Sequence, residues 1–566
     1  MEISTQKSRR ELIILVGVFI SSMTFFWHKF SFAILPGDNR DSRLCLMWME
    51  HWYVSLIHFT APWNLPNFYP TKNTLSGSDA FFLEGMFHSL FRLIGLNISA
   101  AFATSILILH IAGCLSSIFL VRIFKFGIFE ASVVVALFGT MSPYWLCRNH
   151  VQLMLTPILG WVVYFLVKAA KGERRVFYLT LASIIFWSML LSSGYAIAFA
   201  VFFTIIGLPV AAFLGLIKKE KIKDSVIMWS KPVIFSQIYS SPFILLFIRI
   251  YYWHDSIIGR HSKSEILFYS PSITDLVSIP PSSGGIESKI PFLREILFKI
   301  NNLPNPTGEF GGALTLSTLL ILLSFTSYQL YRKKQLTKTN SKTLTQFFNS
   351  AYVTLILGYC LILKDFRGFN FWSVTFYHLP FLGSIRVVGR FILFACLLLP
   401  FLFAILFSNY ISIKKTPIRL AICYLSIVVL FVSQGSQIYG NFKARDLTNS
   451  TVIESQIATK CKSFYLLAAA GEENSILPDT LPDMALQIAV NSGIPTINGN
   501  SSFLPRSFSP ALAYENDRKI TYSDLHEWIN RFNLQNVCLV SLSEKSGSPK
   551  FQILEHLSGT IGKTLS

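Results

Sequence analysis

The stretch ELIILVGVFISSMTFFWHKFSFAIL, Glu11–Leu35, runs directly into PGDNRDSRL, Pro36–Leu44. The first part is almost wholly apolar and long enough to cross a bilayer core of about 30 Å. The second packs Asp38, Arg40, Asp41 and Arg43 close together. The apolar run is too long for the core of a cleaved signal peptide, and no small-residue cleavage site precedes Pro36. It reads as a retained membrane helix. As local structure, Gly37 ends that helix and Asn39 or Asp41 caps the next. If a helix runs through both carboxylates, their three-residue spacing puts Asp38 and Asp41 on one face.

The rest of the chain is of the same kind. Of 566 residues, 52% are hydrophobic and 14% charged, and the mean hydropathy is +0.50. Soluble chains carry about 25% charged residues. The formal charge of +19 does not point to nucleic acid, because the positives sit in short loops between apolar runs. These are KSRR near the start, RIFK (122–125), KAAKGERR (168–175), KKEKIK (218–223), YRKKQ (331–335) and KKTPIR (414–419). Basic loops alternating with others are the mark of cytoplasmic loops. With 51 Phe in the chain, lipid-facing aromatics need no special explanation.

Hydropathy predicts about eleven spans. They lie near 11–35, 97–121, 128–146, 151–170, 176–192, 195–217, 229–253, 312–331, 348–364, 388–409 and 417–437. The basic loops place the N-terminus in the cytoplasm, and an odd number of spans places the C-terminus outside. The fold class is thus a polytopic α-helical membrane protein, with a transmembrane part over 1–440 and a small extracytoplasmic α/β domain over 441–566.

Three outer loops are long or polar: 37–96, 254–311 and 365–387. In the first, PWNLPNFYPTKNTLSGSD leads into AFFLEGMFHSLFRLIG, which reads as an interfacial amphipathic helix with Ser78 or Asp79 as N-cap. In the tail, SFYLLAAA (463–470), IPTING and NVCLVSL (536–542) read as strands. LPDMALQIAVNSG (481–493) reads as a helix closed by Gly493, and DLHEWINRF (524–532) as one capped by Asp524. Cys461 and Cys538 fall in or beside these strands and are expected to pair in an oxidising compartment; two buried free thiols are the alternative.

The order of several motifs resembles the GT-C class of integral membrane glycosyltransferases. GDNRDSRL followed by PNFYPTKNTLSGSDAFF is similar to the opening of several bacterial families of such proteins. RNHVQL (148–153), FYSPSITDLVS (268–278), GEFGG (308–312), IRVVGRF (385–391) and MALQIAVNSGIPTINGNSSFLP (484–505) resemble their later landmarks. The resemblance implies a hexosyl- or pentosyltransferase of the inverting type in a bacterial inner membrane. Its donor is a polyprenyl-phosphate sugar and its acceptor a glycan, lipid or protein on the outer side. An acidic motif lies in the first outer loop of that class.

The chemistry accounts for the residue types. An acceptor hydroxyl is a poor nucleophile at neutral pH, and a carboxylate acting as general base contributes about 10²–10⁴ in rate. Asp38 is the first candidate and Asp41 the second. Asp79 is a third, against its role as a simple N-cap. The leaving lipid phosphate needs cations: Arg, Lys, His or a divalent metal such as Mg or Mn. No Cys/His metal motif is present. His378, Arg386 and Arg390 cluster before the tenth span, and the four-residue spacing of the arginines predicts a shared helix face. An Arg fork fits phosphate oxygens. Arg40 and Arg43 form another pair, and His254, Arg260, His261 and Lys263 a weaker cluster. His150 reads first as a packed interface residue, and Glu309 as an acceptor-side or metal group. Competing readings are a transporter or flippase of lipid-linked sugars, which needs ionisable groups at mid-membrane depth, and a non-catalytic subunit of an envelope complex.

Overall fold

The structure, a computed structural model, describes residues 2–559 apart from 29, 32–33, 38–40, 142, 145–146, 148, 173, 215–221, 273–290, 292–294, 296–320, 322, 325–341, 365–368, 380–381, 413–416, 436–440, 444–450, 470–479, 515–517 and 544–549. Among the described residues, six helices are long and apolar enough to cross a membrane: Arg9–Trp27, Ile98–Ile123, Val151–Ala170, Arg175–Ser192, Gly194–Phe213 and Val388–Ile411. The pair Ile227–Tyr239 and Ser241–Tyr251, bent by 65°, makes a seventh if it is one span. Shorter apolar helices cover Ile128–Leu137, Asn349–Ile362 and Pro417–Leu430. The expected count of eleven is not confirmed among the described residues, and the expected span 312–331 lies almost wholly outside them. The expected span 128–146 shortens because its helix stops at Leu137 and Gly139 takes a φ of +76°.

The opening helix α1 spans Glu2–Trp27 and ends earlier than its apolar run suggests. The polar pair His28–Lys29 interrupts the run at that point. A short strand, β1 (Ile34–Pro36), follows and pairs antiparallel with β2 (Asn441–Lys443), Leu35 opposite Phe442. Gly37 thus does not end the first helix. It turns the chain after β1 with a φ of +104°, a conformation glycine adopts at low cost.

Helix α2 (Asp41–Ile57) begins at the second carboxylate of the opening motif. It packs against α3 (Phe82–Leu93), where Trp52 Nε1 donates to the Ala80 carbonyl at 2.8 Å. Gly85 permits the close approach, since a Cβ there would lie 2.3 Å from Trp52 Cδ1. Buried Glu50 of α2 meets His88 at 2.6 Å and Arg92 at 3.1 Å on α3. The cap of α3 is neither Ser78 nor Asp79: Phe81 occupies the position, left-handed and without a side-chain cap bond.

The C-terminal unit holds a three-stranded sheet. β3 (Ser463–Ala468) runs parallel to β4 (Val537–Ser543), which is antiparallel to β5 (Lys550–Leu557). Helices Thr451–Lys460, Thr480–Ser492 and Arg518–Arg531 accompany it. Cys461 and Cys538 are joined, Cα atoms 5.6 Å apart. Two expectations need correction. Asp524 lies inside a helix that already begins at Arg518, and its carboxylate accepts from the Ser509 hydroxyl. IPTING is no strand. Beyond one bridge to β3, its backbone is taken by the first long loop: Phe68 N–H donates to the Asn498 carbonyl (3.1 Å), Tyr69 N–H to that of Thr496 (3.0 Å), and Thr496 N–H to that of Pro66 (2.8 Å). Leu486 and Val490 of helix Thr480–Ser492 join the main hydrophobic core, so the unit packs on the bundle.

Candidate active site

The site lies where the first, second and third long loops meet the ends of membrane helices. Asp41, the first residue of α2, is partly exposed. Its helix is seated by Ser42, whose hydroxyl donates to the Asn149 carbonyl at 3.3 Å. That seating brings His150 Nε2 to 3.6 Å from Asp41 Oδ2. Burial pushes the His150 imidazole well below its ordinary pKa, and the charges of Arg390 and Arg386 push the same way. A neutral imidazole at 3.6 Å is neither an ion pair nor a good hydrogen bond.

Both arginines therefore act on His150, but they do not share an α-helix face. Arg386 lies in irregular chain, and Arg390 closes a 3₁₀ turn before helix Phe391–Ser412. The intervening Val387 N–H is held by the Tyr195 hydroxyl at 3.4 Å, which fixes this irregular path. Arg386 contacts Glu265 at 3.4 Å and sits over the Tyr269 ring at 4.9 Å. Buried Arg390 sits over the Tyr195 ring at 4.9 Å. Glu265 also meets His261 Nδ1 at 3.0 Å.

Asp79 is built into the same region. Its Oδ1 accepts from the Gly194 N–H at 2.9 Å, and its Oδ2 from Gln152 Nε2 at 3.0 Å. Gly194 opens helix Gly194–Phe213, whose own N-cap, Ser193, makes no side-chain cap bond. Asp79 thus caps a distant helix in place of its own, where an anion suits the positive end of the helix dipole. Burial raises the Asp79 pKa, while the bonds from Gly194 and Gln152 and the charge of Arg390 hold it back.

Asp41, Asp79, His150, Arg386 and Arg390 are therefore brought into one electrostatic neighbourhood. Arg43 is buried within α2. Asp38, Arg40 and Glu309 lie outside the described residues. His378 is exposed, its ring beside Tyr377 (5.2 Å) and its carbonyl accepting from Arg260 (3.4 Å). His254 is exposed beside Trp253 (5.9 Å). Neither joins the cluster through these contacts. Among the described residues, no three His, Cys, Asp or Glu side chains converge as a metal site.

Glu265, Gln152, Tyr195 and Tyr269 were not singled out from the sequence. Gln152 and Tyr269 lie within RNHVQL and FYSPSITDLVS, and Glu265 stands four positions after His261 in HSKSE; nothing local marked Tyr195.

No family model matches the chain, and no curated protein does. Among solved structures, the chain is similar to oligosaccharyltransferase AglB from Archaeoglobus fulgidus, in complex with an inhibitory peptide and a dolichol-phosphate. The TM-score is 0.49 and the identity 12%, covering 95% of this chain and 70% of that one. It is also similar to ArnT from Cupriavidus metallidurans bound to undecaprenyl phosphate (TM-score 0.45, 11% identity, 94% and 93% covered). A third is arabinofuranosyltransferase AftD from Mycobacteria (0.46, 13%, 93% and 35%). Similarity this low carries no argument about activity, which rests on the site's own residues.

Proposed function

We propose that the chain is a membrane glycosyltransferase, moving a sugar from a polyprenyl-phosphate donor to an acceptor on the extracytoplasmic side of a bacterial inner membrane. The observation that supports it most is that the charges of Arg386 and Arg390 act on His150, which lies 3.6 Å from Asp41. A carboxylate and two guanidiniums next to helix ends match the needs of the reaction. The carboxylate takes the acceptor proton, with Asp41 and the neighbouring Asp38 as bases. The arginines stabilise the phosphate as the glycosyl bond breaks. A single in-line displacement of this kind inverts the anomeric centre. A divalent metal would add further charge at the phosphate, but among the described residues Asp41 and His150 find no third ligand to hold one. In this reading the N-terminus is cytoplasmic and residues 441–566 form the outer domain.

Purified protein in proteoliposomes, supplied with radiolabelled polyprenyl-phosphate hexoses and pentoses and an envelope extract as acceptor, tests the proposal. The expected result is sugar transfer with release of polyprenyl phosphate, lost in Asp41→Asn and in Arg386→Ala. Sugar crossing the bilayer still attached to its lipid, without release, would favour a flippase. Neither transfer nor flux with the folded protein would favour an envelope-complex subunit.

A further inference from the structure

The C-terminal unit does more than rest on the bundle. Its segment after IPTING reaches back to the site, where Phe503 N–H donates to the Gly77 carbonyl at 3.1 Å. Gly77 is needed there, since a Cβ would lie 2.4 Å from Ser501 Oγ. Phe503 then stacks on His261, ring centroids 4.5 Å apart and tilted by 30°. Together with the loops, this segment encloses a cleft lined by Asp79, Ser78, Tyr195, His261, Ser502 and Phe503, among others. The cleft opens to solvent, and cleft and mouth together enclose about 500 Å³ of empty space.

The lining selects a chemistry. Each oxygen of Asp79 already holds one fixed donor, Gly194 N–H or Gln152 Nε2. The carboxylate is thereby locked in orientation, and its remaining lone pairs are directed to accept hydroxyls. Serine and tyrosine side chains line the same cleft. The Phe503 ring, stacked on His261, adds an apolar part to the lining. A carboxylate in the wall disfavours an anionic ligand at this end, and a mixed polar lining does not suit a lipid tail. A neutral ring with apolar C–H faces and a hydroxyl rim fits both features.

We infer that this cleft is a saccharide pocket that holds the sugar of the acceptor, with Asp79 receiving its hydroxyls and Phe503 of the C-terminal unit as an apolar wall. That the sugar belongs to the acceptor rests on the glycosyl-transfer reading. That the pocket takes a sugar does not. The acceptor is assigned because one wall, Ser502 and Phe503, comes from the C-terminal unit, whereas the charge of a donor phosphate calls for Arg386 and Arg390 instead of Asp79.

Saturation-transfer NMR on the full chain in detergent, with the methyl glycosides of glucose, galactose, mannose and N-acetylglucosamine as probes, tests this without turnover. At least one glycoside is expected to bind. Phe503→Ala and Asp79→Asn should each weaken binding tenfold or more. Ser502→Trp, which fills the cleft from an exposed position, should abolish it. Asp41→Asn should bind as the unsubstituted protein does, even where it transfers no sugar. Binding of none of the probes, or equal binding by Phe503→Ala and Ser502→Trp proteins with unchanged helix content, would overturn the pocket. Displacement of the glycoside by a polyprenyl-phosphate hexose would overturn its assignment to the acceptor, and simultaneous binding would support it. Glycoside binding without any transfer activity would leave the pocket standing and sink the enzymatic reading alone.

Discussion

His150 Nε2 lies 3.6 Å from Asp41 Oδ2, in the field of Arg386 and Arg390. Burial and the two arginines keep the imidazole neutral at physiological pH, so no cation at His150 competes for the carboxylate. Asp41→Asn is expected to lower kcat by about 10²–10⁴ with little change in donor KM. Arg386→Ala should lower kcat and raise donor KM together. Steady-state kinetics in detergent separate the two, and equal effects on KM would place Asp41 in binding instead. His150 is held below its ordinary imidazole range, so it should add no limb of its own to the pH profile near neutral pH.

Glu84 supplies a second, independent prediction. It sits fully buried in the first turn of α3. Burial pushes its carboxyl up to about 7, and the charge of Asp79 adds to the rise. The folded state therefore holds the proton more tightly than the unfolded chain. Stability is fully retained below the unfolded value of 4.5 and is lost as pH rises toward the folded value of about 7. The loss is of order 3 kcal/mol. Glu84→Gln should raise the melting temperature at pH 8 and bring almost no gain at pH 5. A gain independent of pH would show that Glu84 is not protonated in the folded protein.

The apolar runs were legible because membrane burial is a local requirement, met by consecutive residues. Helices Ile98–Ile123 and Gly194–Phe213 lie close to where hydropathy puts them. The partners of Asp79 were not legible. Its spacing to α3 suggested a cap, but the donors it holds are Gly194 and Gln152, remote in sequence. Similarly, the four-residue spacing of Arg386 and Arg390 suggested a helix, whereas the Tyr195 hydroxyl helps hold an irregular path between them. IPTING has strand composition, yet the first long loop takes its backbone bonds. In each case a long-range partner decided the geometry, and no local period records such a partner.

The junction of tail and loop can be tested at Gly499. A Cβ there would lie 2.1 Å from Phe68 Cε1. Phe68 is fully buried between loop and tail, with a φ of +54°, and has no room to retreat. Gly499→Ala should cost about 1–3 kcal/mol by overpacking. The damage should fall on the junction, with faster hydrogen exchange at Tyr69 and Thr496 and unchanged exchange in helix Ile98–Ile123. Uniform loss of protection across the chain would mean that the tail is not a separable element.

The disulfide gives the last test, because it anchors the strand from which the pocket wall hangs. Cys461 and Cys538 are buried and separated by 77 positions. Closing a loop of that length stabilises by about 2–4 kcal/mol, mostly through the unfolded chain. Cys461 lies just before β3, and β3 holds the pocket segment through Asn498. The Asn498 side chain accepts from the Leu466 N–H at 2.7 Å and donates to the Leu466 carbonyl at 2.8 Å. Loosening β3 therefore loosens the segment that carries Ser502 and Phe503. Cys461→Ser with Cys538→Ser is expected to lower the melting temperature of the C-terminal unit and to weaken glycoside binding. The membrane helices should keep their protection from exchange. Restoring apolar packing with Cys461→Ala and Cys538→Val should recover part of the stability, since both sites are buried among apolar side chains. If the paired serine variant binds glycosides as the oxidised protein does, the pocket wall does not depend on β3.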